Sequence, residues 1–327
     1  MSIITIVGAG MMGSAIGFPA RENGHEVRLV GTHLDREIID HARKTNTHLT
    51  LKRPFPEGFK FYQIEQLEEA MQGADVLVGG VSSFSITKGM QDLEDGTMIS
   101  FPHLYAQRLG DKKLCLNAVG GPCTSYELAD HDPTLVAFCG PDIEVLRRLK
   151  AIFETDYYHI CLSTDVTGVE CAVAMKNAYA LAVSLAVGLS ERIEGVGGTL
   201  HYNSQAALFA QSIREMRRLL KLIGGHDDNI VYGVGDLYVT IFGGRTRKIG
   251  TLLGRGVSFD DAMAQLSGIT LESVVISTRT ARAVRKLIER GLTTADDFPL
   301  LLHIDDIINH GAEVNIPWEK FEMETVL

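Results

Sequence analysis

One lysine lies inside a long apolar segment in the second half of the chain. Lys176 follows the run Cys171–Met175 and precedes Asn177 and an alanine-rich stretch. Burial lowers the pKa of an ammonium group and suits it to general acid–base chemistry. A lysine beside an apolar helix face can also extend its ammonium group into solvent. Both interpretations stay open at this point, and Lys176 is a candidate catalytic residue.

The segment 233–248 combines glycines, a carboxylate and several cations. Asp236 could hydrogen-bond to Lys176 or to a substrate hydroxyl, or it could be a simple turn carboxylate. Arg245 follows two glycines and begins a run of three cations in four positions. Its guanidinium could bind a phosphate through two hydrogen bonds, assisted by backbone N–H groups. An exposed basic loop is the alternative interpretation of that run.

The N-terminal residues contain a glycine motif of the form G-x-G-x-x-G. The β-branched run Ile3–Val7 precedes it and an apolar helical pattern follows, which is the strand–turn–helix context of a dinucleotide site. There the first glycine permits a tight turn, the second leaves room for a pyrophosphate, and the third packs the helix on the strand. A glycine turn without a ligand is the alternative. The predicted contacts of NAD or NADP are Gly8, Gly10, Met11, Met12 and Gly13.

The residues after the predicted second strand bear on the choice between NAD and NADP. An Asp or Glu at this tip binds the ribose 2′-OH in NAD-specific folds. Here the tip is Gly31-Thr32-His33, and Asp35 and Arg36 come slightly later. NADP therefore stays open, with Arg36 or His33 as a 2′-phosphate partner, although Arg36 could be a solvated residue that starts a helix. Thr32 and Arg36 are candidate cofactor contacts.

A second loop could also approach the cofactor. The segment 74–80 predicts a buried strand, and the small residues Ser82 and Ser83 follow it. Loops at the carboxyl ends of strands face the ligand crevice of a doubly wound sheet. Ser82 and Ser83 are therefore predicted cofactor contacts.

The order of predicted elements divides the chain in two. Strands alternate with amphipathic helices up to about residue 163, and strand signals disappear from Val166 onward. We predict the class α/β, with a Rossmann-type doubly wound sheet in a dinucleotide-binding domain over 1–163 and an all-helical substrate-binding domain over 164–327. Later strands are predicted at 97–101, 113–119, 134–138 and 157–162, and helices at 169–189, 204–222, 258–266, 272–289 and 300–309.

Composition narrows the expected partners. The formal net charge of −10 argues against a nucleic-acid-binding surface but leaves room for a local cationic site for an anionic substrate. The 5 cysteines show no CxxC spacing, which favours reduced thiols in a cytoplasmic protein and no metal site. We find no signal-peptide pattern and expect no membrane partner. Besides a small-molecule substrate, the partner to consider is a second copy of the chain in a homodimer.

Taken together, these motifs resemble the NAD(P)-dependent glycerol-3-phosphate dehydrogenase family, particularly its bacterial and archaeal forms. The resemblance covers nearly the whole chain. It implies a Rossmann domain followed by a helical domain like that of 6-phosphogluconate dehydrogenase. It also implies hydride transfer between nicotinamide C4 and C2 of glycerol 3-phosphate or dihydroxyacetone phosphate. The segments that recur in order are Gly8–Gly13, Gly121–Ala129 with Pro133-Thr134, Lys176-Asn177, Asn203, Gly233–Thr240 and Gly244-Arg245.

The resemblance also implies roles for single residues. Lys176 is then the general acid and base at the C2 oxygen, and Arg245 binds the phosphate. Glu272 matches a family glutamate near the cofactor. The residues implied to line the substrate pocket are Asn177, Asp236 and Thr240.

This chain departs from the family pattern after the predicted fifth strand. The family has Ser/Thr-Lys-Gly there, whereas this chain has Ser100–Leu104 without a lysine. Losing one of two active-site cations changes charge stabilisation by several kcal/mol. His103 or Lys88 could substitute, and His103 is a candidate substrate contact.

Two further departures affect the substrate and cofactor sites. Thr246 stands where the family has asparagine beside the phosphate-binding arginine, and Ser273 follows Glu272 where the family has glycine. Thr246 is still a candidate substrate contact. These departures leave two alternatives to the family reaction. One is a dehydrogenase acting on a different, unphosphorylated hydroxy compound, and the other is a dinucleotide-binding protein without catalysis.

Overall fold

The computed structural model describes residues 1–81, 84–85, 90–110, 114–267 and 271–322. The chain forms two compact units. The first consists of Met1–Lys88 and Phe101–Val166, and the second of Gly89–Ser100 and Thr167–Leu327. A short segment from the first half of the sequence therefore belongs to the second unit.

A five-stranded sheet forms the centre of the first unit. Its strand order is β3-β2-β1-β4-β5; the first four are parallel, and β5 is antiparallel to β4. The order 3-2-1-4 is one half of a doubly wound sheet, as the alternation of strands and helices predicted. The strands are β1 (Ile3–Val7), β2 (Glu26–Val30), β3 (Lys60–Tyr62), β4 (Val76–Val81) and β5 (Phe84–Ser85).

The predicted strand at 97–101 has a different position from the one expected. Strand β6 (Met90–Asp92) pairs antiparallel with β7 (Met98–Ser100) in a two-stranded sheet of the second unit, outside the parallel sheet. The carboxylate of Asp95 accepts hydrogen bonds from the N–H and hydroxyl of Thr97, each at 2.9 Å. This tight turn makes local pairing of the two strands easy, and the prediction that 97–101 extends the parallel sheet was wrong.

Three further strands complete the first unit. The order is β10-β9-β8, with β10 parallel and β8 antiparallel to β9. Of the strand predicted at 113–119, the last two residues belong to β8; residues 114–117 are irregular and residue 113 lies outside the described residues. The bounds are β8 (Ala118–Gly120), β9 (Thr134–Cys139) and β10 (Tyr158–Ser163).

Short helices surround these sheets. Polar side chains cap two of them, at Thr124 and Asp142; the Asp142 carboxylate accepts the N–H groups of Glu144 and Val145. The apolar faces of the sheet and helices share one core, in which Ile4, Ile6 and Leu29 are fully buried. The helices are α1 (Met11–Ala15), α2 (Gly17–Glu22), α3 (Arg36–Thr45), α4 (Leu67–Met71), α5 (Phe101–Leu109), α6 (Ser125–Ala129) and α7 (Ile143–Phe153).

The second unit is helical apart from the β6–β7 hairpin. Its central helix, α8, is long and apolar enough to cross a membrane, but 89% of its most apolar window is buried inside the protein. The other helices surround it. The bounds are α8 (Val166–Glu194), α9 (Tyr202–Leu222), α10 (Ile230–Ile241), α11 (Gly244–Gly254), α12 (Phe259–Gln265), α13 (Glu272–Glu289) and α14 (Pro299–His310).

The glycine-rich segment 233–248 lies in two helices, α10 and α11, which the sequence did not predict. Glycine weakens a helix in isolation. Here it lets two helices approach α8 closely: a Cβ on Gly233 would lie 2.3 Å from the Ala172 carbonyl oxygen, and one on Gly254 would lie 2.2 Å from that of Leu185. The basic run therefore lies in a helix and not in the loop of the alternative interpretation, although Arg245 and Lys248 are exposed as that interpretation expected.

Candidate active site

Lys176 and Asp236 form a hydrogen-bonded ion pair inside the second unit. Lys176 Nζ lies 2.5 Å from Asp236 Oδ1, and the two side chains are 14% and 3% exposed. The sequence left this hydrogen bond open as one of three interpretations of Asp236. A buried carboxylate costs free energy unless a cation compensates it, so each group holds the other in place. Lys176 therefore does not extend its ammonium group freely into solvent.

Close packing of α10 on α8 brings the pair together. Gly233 contacts Ala172, one helical turn before Lys176 on α8 and about one turn before Asp236 on α10. One turn after Asp236, the Thr240 hydroxyl donates to the Asp236 carbonyl oxygen at 2.7 Å. The hydroxyl oxygen of Thr240 keeps lone pairs that can accept a further hydrogen bond.

A second group of polar residues lies on three helices and includes Asn177, the neighbour of Lys176 in sequence. Arg245, in the first turn of α11, has a guanidinium nitrogen 3.6 Å from Glu272 Oε1. The other Glu272 oxygen lies 3.5 Å from the amide nitrogen of Asn177, the neighbour of Lys176 on α8. Glu272 begins α13 and thus connects Arg245 to Asn177. The Arg245 and Glu272 side chains are half exposed, at 52% and 45%.

Other residues near the start of α11 have different surroundings. Thr246 is buried, although it adjoins the exposed Arg245. Arg247 donates to the carbonyl oxygen of Ile241 at 2.5 Å, which directs its guanidinium toward the end of α10. Arg245 is therefore the member of the basic run that lies with Asn177 and Glu272.

The glycine motif of the first unit has the backbone geometry that its sequence predicted. Gly8 adopts a φ of 109°, in the region that favours glycine. A Cβ on Gly13 would lie 2.3 Å from the Gly8 carbonyl oxygen, so the helix packs directly on the turn. At Gly10, no described atom lies within 4 Å of the place of a Cβ. This open space fits a pyrophosphate at Gly10. Met11 is exposed and Met12 is half-buried.

Asp35 connects the glycine loop to the tip of β2. One of its carboxylate oxygens accepts the N–H of Ala9 at 3.2 Å, the N–H of Thr32 at 2.9 Å and the Thr32 hydroxyl at 2.8 Å. Asp35 immediately precedes α3, yet its carboxylate extends back to the loop. The sequence has no Asp or Glu at the tip of β2, but the fold places the Asp35 carboxylate against that tip.

Arg36, the predicted partner of a 2′-phosphate, pairs with Glu65 on the surface of the first unit. Its NH1 nitrogen lies 3.3 Å from Glu65 Oε2, and the two side chains are 50% and 60% exposed. This exposed ion pair at the start of α3 is compatible with both interpretations of Arg36, a solvated residue or a 2′-phosphate partner.

His48 also contacts the glycine loop, and the sequence did not single it out. Its ring is fully buried, with Nε2 2.9 Å from the Ala9 carbonyl oxygen. Its Nδ1 accepts the N–H groups of Thr50 and Leu51 at 3.2 and 3.0 Å. A carbonyl oxygen only accepts, so Nε2 carries the hydrogen and the ring is neutral. Burial lowers the pKa of His48, and its hydrogen bond to Ala9 opposes this effect.

The remaining predicted site residues are not part of either cluster as described. His103 lies on α5 in the first unit and is exposed. The predictions for Ser82, Ser83 and Lys88 concern residues outside the described ranges. One group within the described ranges, Asp305, Asp306 and His310, has spacing that could hold a metal, but Arg285 lies 2.9 Å from both carboxylates.

Two family models match the chain. The N-terminal model of NAD-dependent glycerol-3-phosphate dehydrogenase matches residues 3–99, and the C-terminal model matches residues 165–318. Among curated relatives, an NADP(+)-dependent glycerol-3-phosphate dehydrogenase from Archaeoglobus fulgidus is 32% identical over 285 residues, which is 81% of this chain and 83% of the relative. A glycerol-3-phosphate dehydrogenase [NAD(P)+] from Geobacillus kaustophilus is 28% identical over 309 residues, and the alignment covers 88% of this chain and 85% of the relative.

Solved structures agree in fold. A glycerol-3-phosphate dehydrogenase from Plasmodium falciparum gives a TM-score of 0.82 at 20% identity and covers 100% of this chain and 96% of its own. One from Coxiella burnetii gives 0.74 at 22% identity, covering 97% of each chain.

The glycine-loop sheet and the helical unit define an NAD(P)-dependent dehydrogenase that acts on a CH–OH group. The chain belongs to the NAD-dependent glycerol-3-phosphate dehydrogenase family.

Proposed function

We propose that this chain interconverts dihydroxyacetone phosphate and glycerol 3-phosphate, with NAD or NADP as cofactor. The observation that carries the proposal is the largely buried Lys176–Asp236 pair. Asn177 follows Lys176 in the chain, and Glu272 connects Asn177 to Arg245. A proton donor, a fixed counter-ion and a phosphate-binding cation are the groups that reduction of a phosphorylated ketone needs. The family membership of the chain supports the same reaction.

Lys176 moves the proton at the C2 oxygen. When bound, the reduced nicotinamide supplies a hydride to C2, and negative charge develops on the oxygen. The Lys176 ammonium donates a proton to that oxygen, becomes neutral and regains a proton from water. Asp236 favours the charged ammonium and orients it, because an opposite charge nearby stabilises the protonated amine. In the oxidation of glycerol 3-phosphate, neutral Lys176 takes the proton back.

Arg245 provides the phosphate contact. Its guanidinium is half exposed and already lies beside a carboxylate, Glu272. A phosphate carries more charge than a carboxylate and can accept two parallel hydrogen bonds from the guanidinium. Asn177 and Thr240 contact substrate oxygens, with Asn177 able to donate and accept. Thr246 and His103 stay substrate-contact candidates of the same proposal.

The first unit holds the cofactor. The open space at Gly10 and the left-handed turn at Gly8 fit a pyrophosphate beside Met11, Met12 and Gly13. Thr32, at the tip of β2, faces the same loop through Asp35. We include Arg36, Ser82, Ser83 and Glu272 among the proposed cofactor contacts. The proposal assigns cofactor binding to the domain over 1–163 and substrate binding to the domain over 164–327, although residues 89–100 belong to the second compact unit. It also includes a cytoplasmic location and a homodimer.

The test is turnover by the purified full-length chain. Dihydroxyacetone phosphate should oxidise NADH or NADPH, followed by the loss of reduced-nicotinamide absorbance, and Lys176→Ala should lose nearly all of this activity. Absence of turnover with both cofactors at high substrate concentration would refute the assignment.

A second candidate is a dehydrogenase for an unphosphorylated hydroxy compound. The sequence Phe101-Pro102-His103 in place of a lysine, and Thr246 in place of asparagine, favour it. Arg245→Ala separates the two candidates. It should raise the KM for a phosphorylated ketone about 10- to 100-fold, as expected for losing a charged hydrogen-bond donor. The KM for an unphosphorylated ketone should hardly change.

A further inference from the structure

Side chains from outside the glycine motif hold both backbone polar groups of Ala9. The N–H donates to Asp35 at 3.2 Å. The carbonyl oxygen accepts from His48 Nε2 at 2.9 Å and, at a longer 3.3 Å, from the Ser14 hydroxyl. Ala9 and His48 are fully buried. The loop conformation therefore depends on a histidine 39 positions further along the chain.

We propose that His48 is a positioning residue for the dinucleotide: it fixes the peptide between Ala9 and Gly10 so that the Gly10 N–H faces the pyrophosphate. The inference rests on the proposed function, because it assumes a dinucleotide on this loop. In a trans peptide the C=O and the following N–H point in opposite directions. Since the Ala9 carbonyl points to the buried ring, the Gly10 N–H points away from it.

The flanking glycines explain why such a restraint matters. Gly8 and Gly10 lie on either side of Ala9, and glycine populates more backbone conformations than any other residue. A loop with glycines at both positions can rotate its central peptides at little steric cost. Rotation of the Ala9–Gly10 peptide would turn the Gly10 N–H away from the ligand. His48 opposes that rotation because it would leave the buried Ala9 carbonyl without its shortest hydrogen bond.

The two ring nitrogens of His48 have separable tasks. Nδ1 accepts the N–H groups of Thr50 and Leu51 and so stabilises the turn that contains His48. Nε2 donates to Ala9. An asparagine side chain places its oxygen near the former Nδ1 and is too short to contact Ala9. A glutamine side chain places its amide nitrogen near the former Nε2 and loses the turn contacts.

This difference gives a matched pair of variants, His48→Asn and His48→Gln. A third variant, His25→Asn, is the control, because His25 Nδ1 also accepts a backbone N–H, from Ser2 at 3.0 Å, at the opposite end of β1. For each full-length protein we would measure the Kd of NADH and NADPH by calorimetry, the steady-state constants, and amide hydrogen exchange over residues 8–16 without cofactor.

His48→Asn should raise the Kd of the preferred cofactor about 3- to 10-fold and speed amide exchange in the loop. His48→Gln should stay closer to wild type in both measurements, and His25→Asn should match wild type. In all three variants the KM for dihydroxyacetone phosphate and the kcat at saturating cofactor should equal the wild-type values. A general loss of structure would change both constants.

Three results would overturn the inference. One is a wild-type Kd and exchange rate in His48→Asn. Another is a defect in His48→Gln as large as or larger than that in His48→Asn, because the Nδ1 contacts of the turn or the packing of the ring would then account for the effect. The third is wild-type protein that binds neither dinucleotide. By contrast, dinucleotide binding without turnover of dihydroxyacetone phosphate would refute the proposed substrate and leave the role of His48 intact.

Discussion

Lys176 and Asp236 are 60 positions apart in the chain, yet their charged atoms lie 2.5 Å apart. The contact depends on a glycine, Gly233, that lets α10 approach α8 closely enough for a short carboxylate to meet the end of a long lysine. The pair combines a proton donor with an almost fully buried counter-ion. Asp236 therefore stabilises the charge of Lys176 and also fixes its position.

Removing the charge of Asp236 should lower kcat. In Asp236→Asn the Lys176 ammonium loses its counter-ion, and we expect kcat for reduction of dihydroxyacetone phosphate to fall about 100-fold, the lower range for a misplaced general acid. Steady-state kinetics over a range of pH measure this. The control Asp228→Asn removes the same charge from a side chain that is 91% exposed. A kcat within a factor of two of wild type in Asp236→Asn would show that the pair is only structural.

Neutralising Glu272 should strengthen binding of the phosphorylated substrate. Its carboxylate lies 3.6 Å from the Arg245 guanidinium and competes with a phosphate for that cation. Since the pair is half exposed, we expect a modest 2- to 5-fold fall in the KM for dihydroxyacetone phosphate in Glu272→Gln. Unphosphorylated dihydroxyacetone should show no such change. Glu289→Gln, at the other end of α13, is the matched control.

The same variant tests the cofactor role that the family resemblance implies for Glu272. If the carboxylate contacts the dinucleotide, the KM for NADH or NADPH should rise in Glu272→Gln while the KM for the ketone changes less. A fall in the ketone KM with an unchanged cofactor KM would instead place Glu272 with Arg245.

Replacing Gly233 should separate the catalytic pair. A Cβ there would lie 2.3 Å from the Ala172 carbonyl oxygen, so Gly233→Ala must push α10 away from α8. Overpacking of this kind costs about 1–3 kcal/mol of unfolding free energy. Denaturant unfolding measures it, with Gly243→Ala as the control, because no described atom lies within 4 Å of a Cβ there. Equal stability of the two variants would contradict the close packing seen at Gly233.

A buried carboxylate in the second unit should make stability depend on pH. Glu215 accepts the N–H groups of Leu300 and Leu301 at the start of α14, at 2.8 and 2.9 Å, and the Tyr179 hydroxyl at 3.1 Å. Burial outweighs these hydrogen bonds and raises the pKa of Glu215 to about 7 from an ordinary 4.5. The folded state therefore binds an extra proton between those two values.

The stabilising contribution of that proton is complete below about pH 4.5 and is lost as the pH rises to about 7. The corresponding loss of unfolding free energy is about 3 kcal/mol. Glu215→Gln cannot ionise, so its stability relative to wild type should increase over this interval. Denaturant unfolding of both proteins from pH 4.5 to 8 measures the difference. A constant difference across that range would show that Glu215 stays ionised in the folded protein.

Strands β1, β2 and β4 of the parallel sheet were predictable because they are short runs rich in β-branched residues, whereas β3, Lys60–Tyr62, contains none and was not predicted. The pairing of β6 with β7 was not predictable, since a strand of three residues has the same apolar pattern in a small hairpin as in the parallel sheet. Tertiary contacts with α13, such as that of Asp92 with Arg282 at 2.5 Å, show where it belongs. Helices α10 and α11 were missed because glycine lowers local helix propensity and its packing advantage appears only against α8.

Some contacts of the candidate site were predictable from the sequence and others were not. The contact of Lys176 with Asp236 was predictable, because a cation and an anion in apolar surroundings need each other. His48 was not, because its partner is a backbone carbonyl, which leaves no side-chain pattern in the sequence. Likewise, the pairing of Arg36 with Glu65 joins residues 29 positions apart on an exposed surface, where many partners are equally compatible with the sequence.

The placement of the β6–β7 hairpin limits how this gene can be recombined. Met90 and Met98 are buried in the core of the helical unit, yet they are encoded within the first third of the sequence. A chimaera joined once, near residue 164, would combine the hairpin of one parent with the helices of the other. Its core would contain methionines selected against different neighbours. Exchange of an intact helical unit between relatives therefore needs three junctions, near residues 88, 100 and 166.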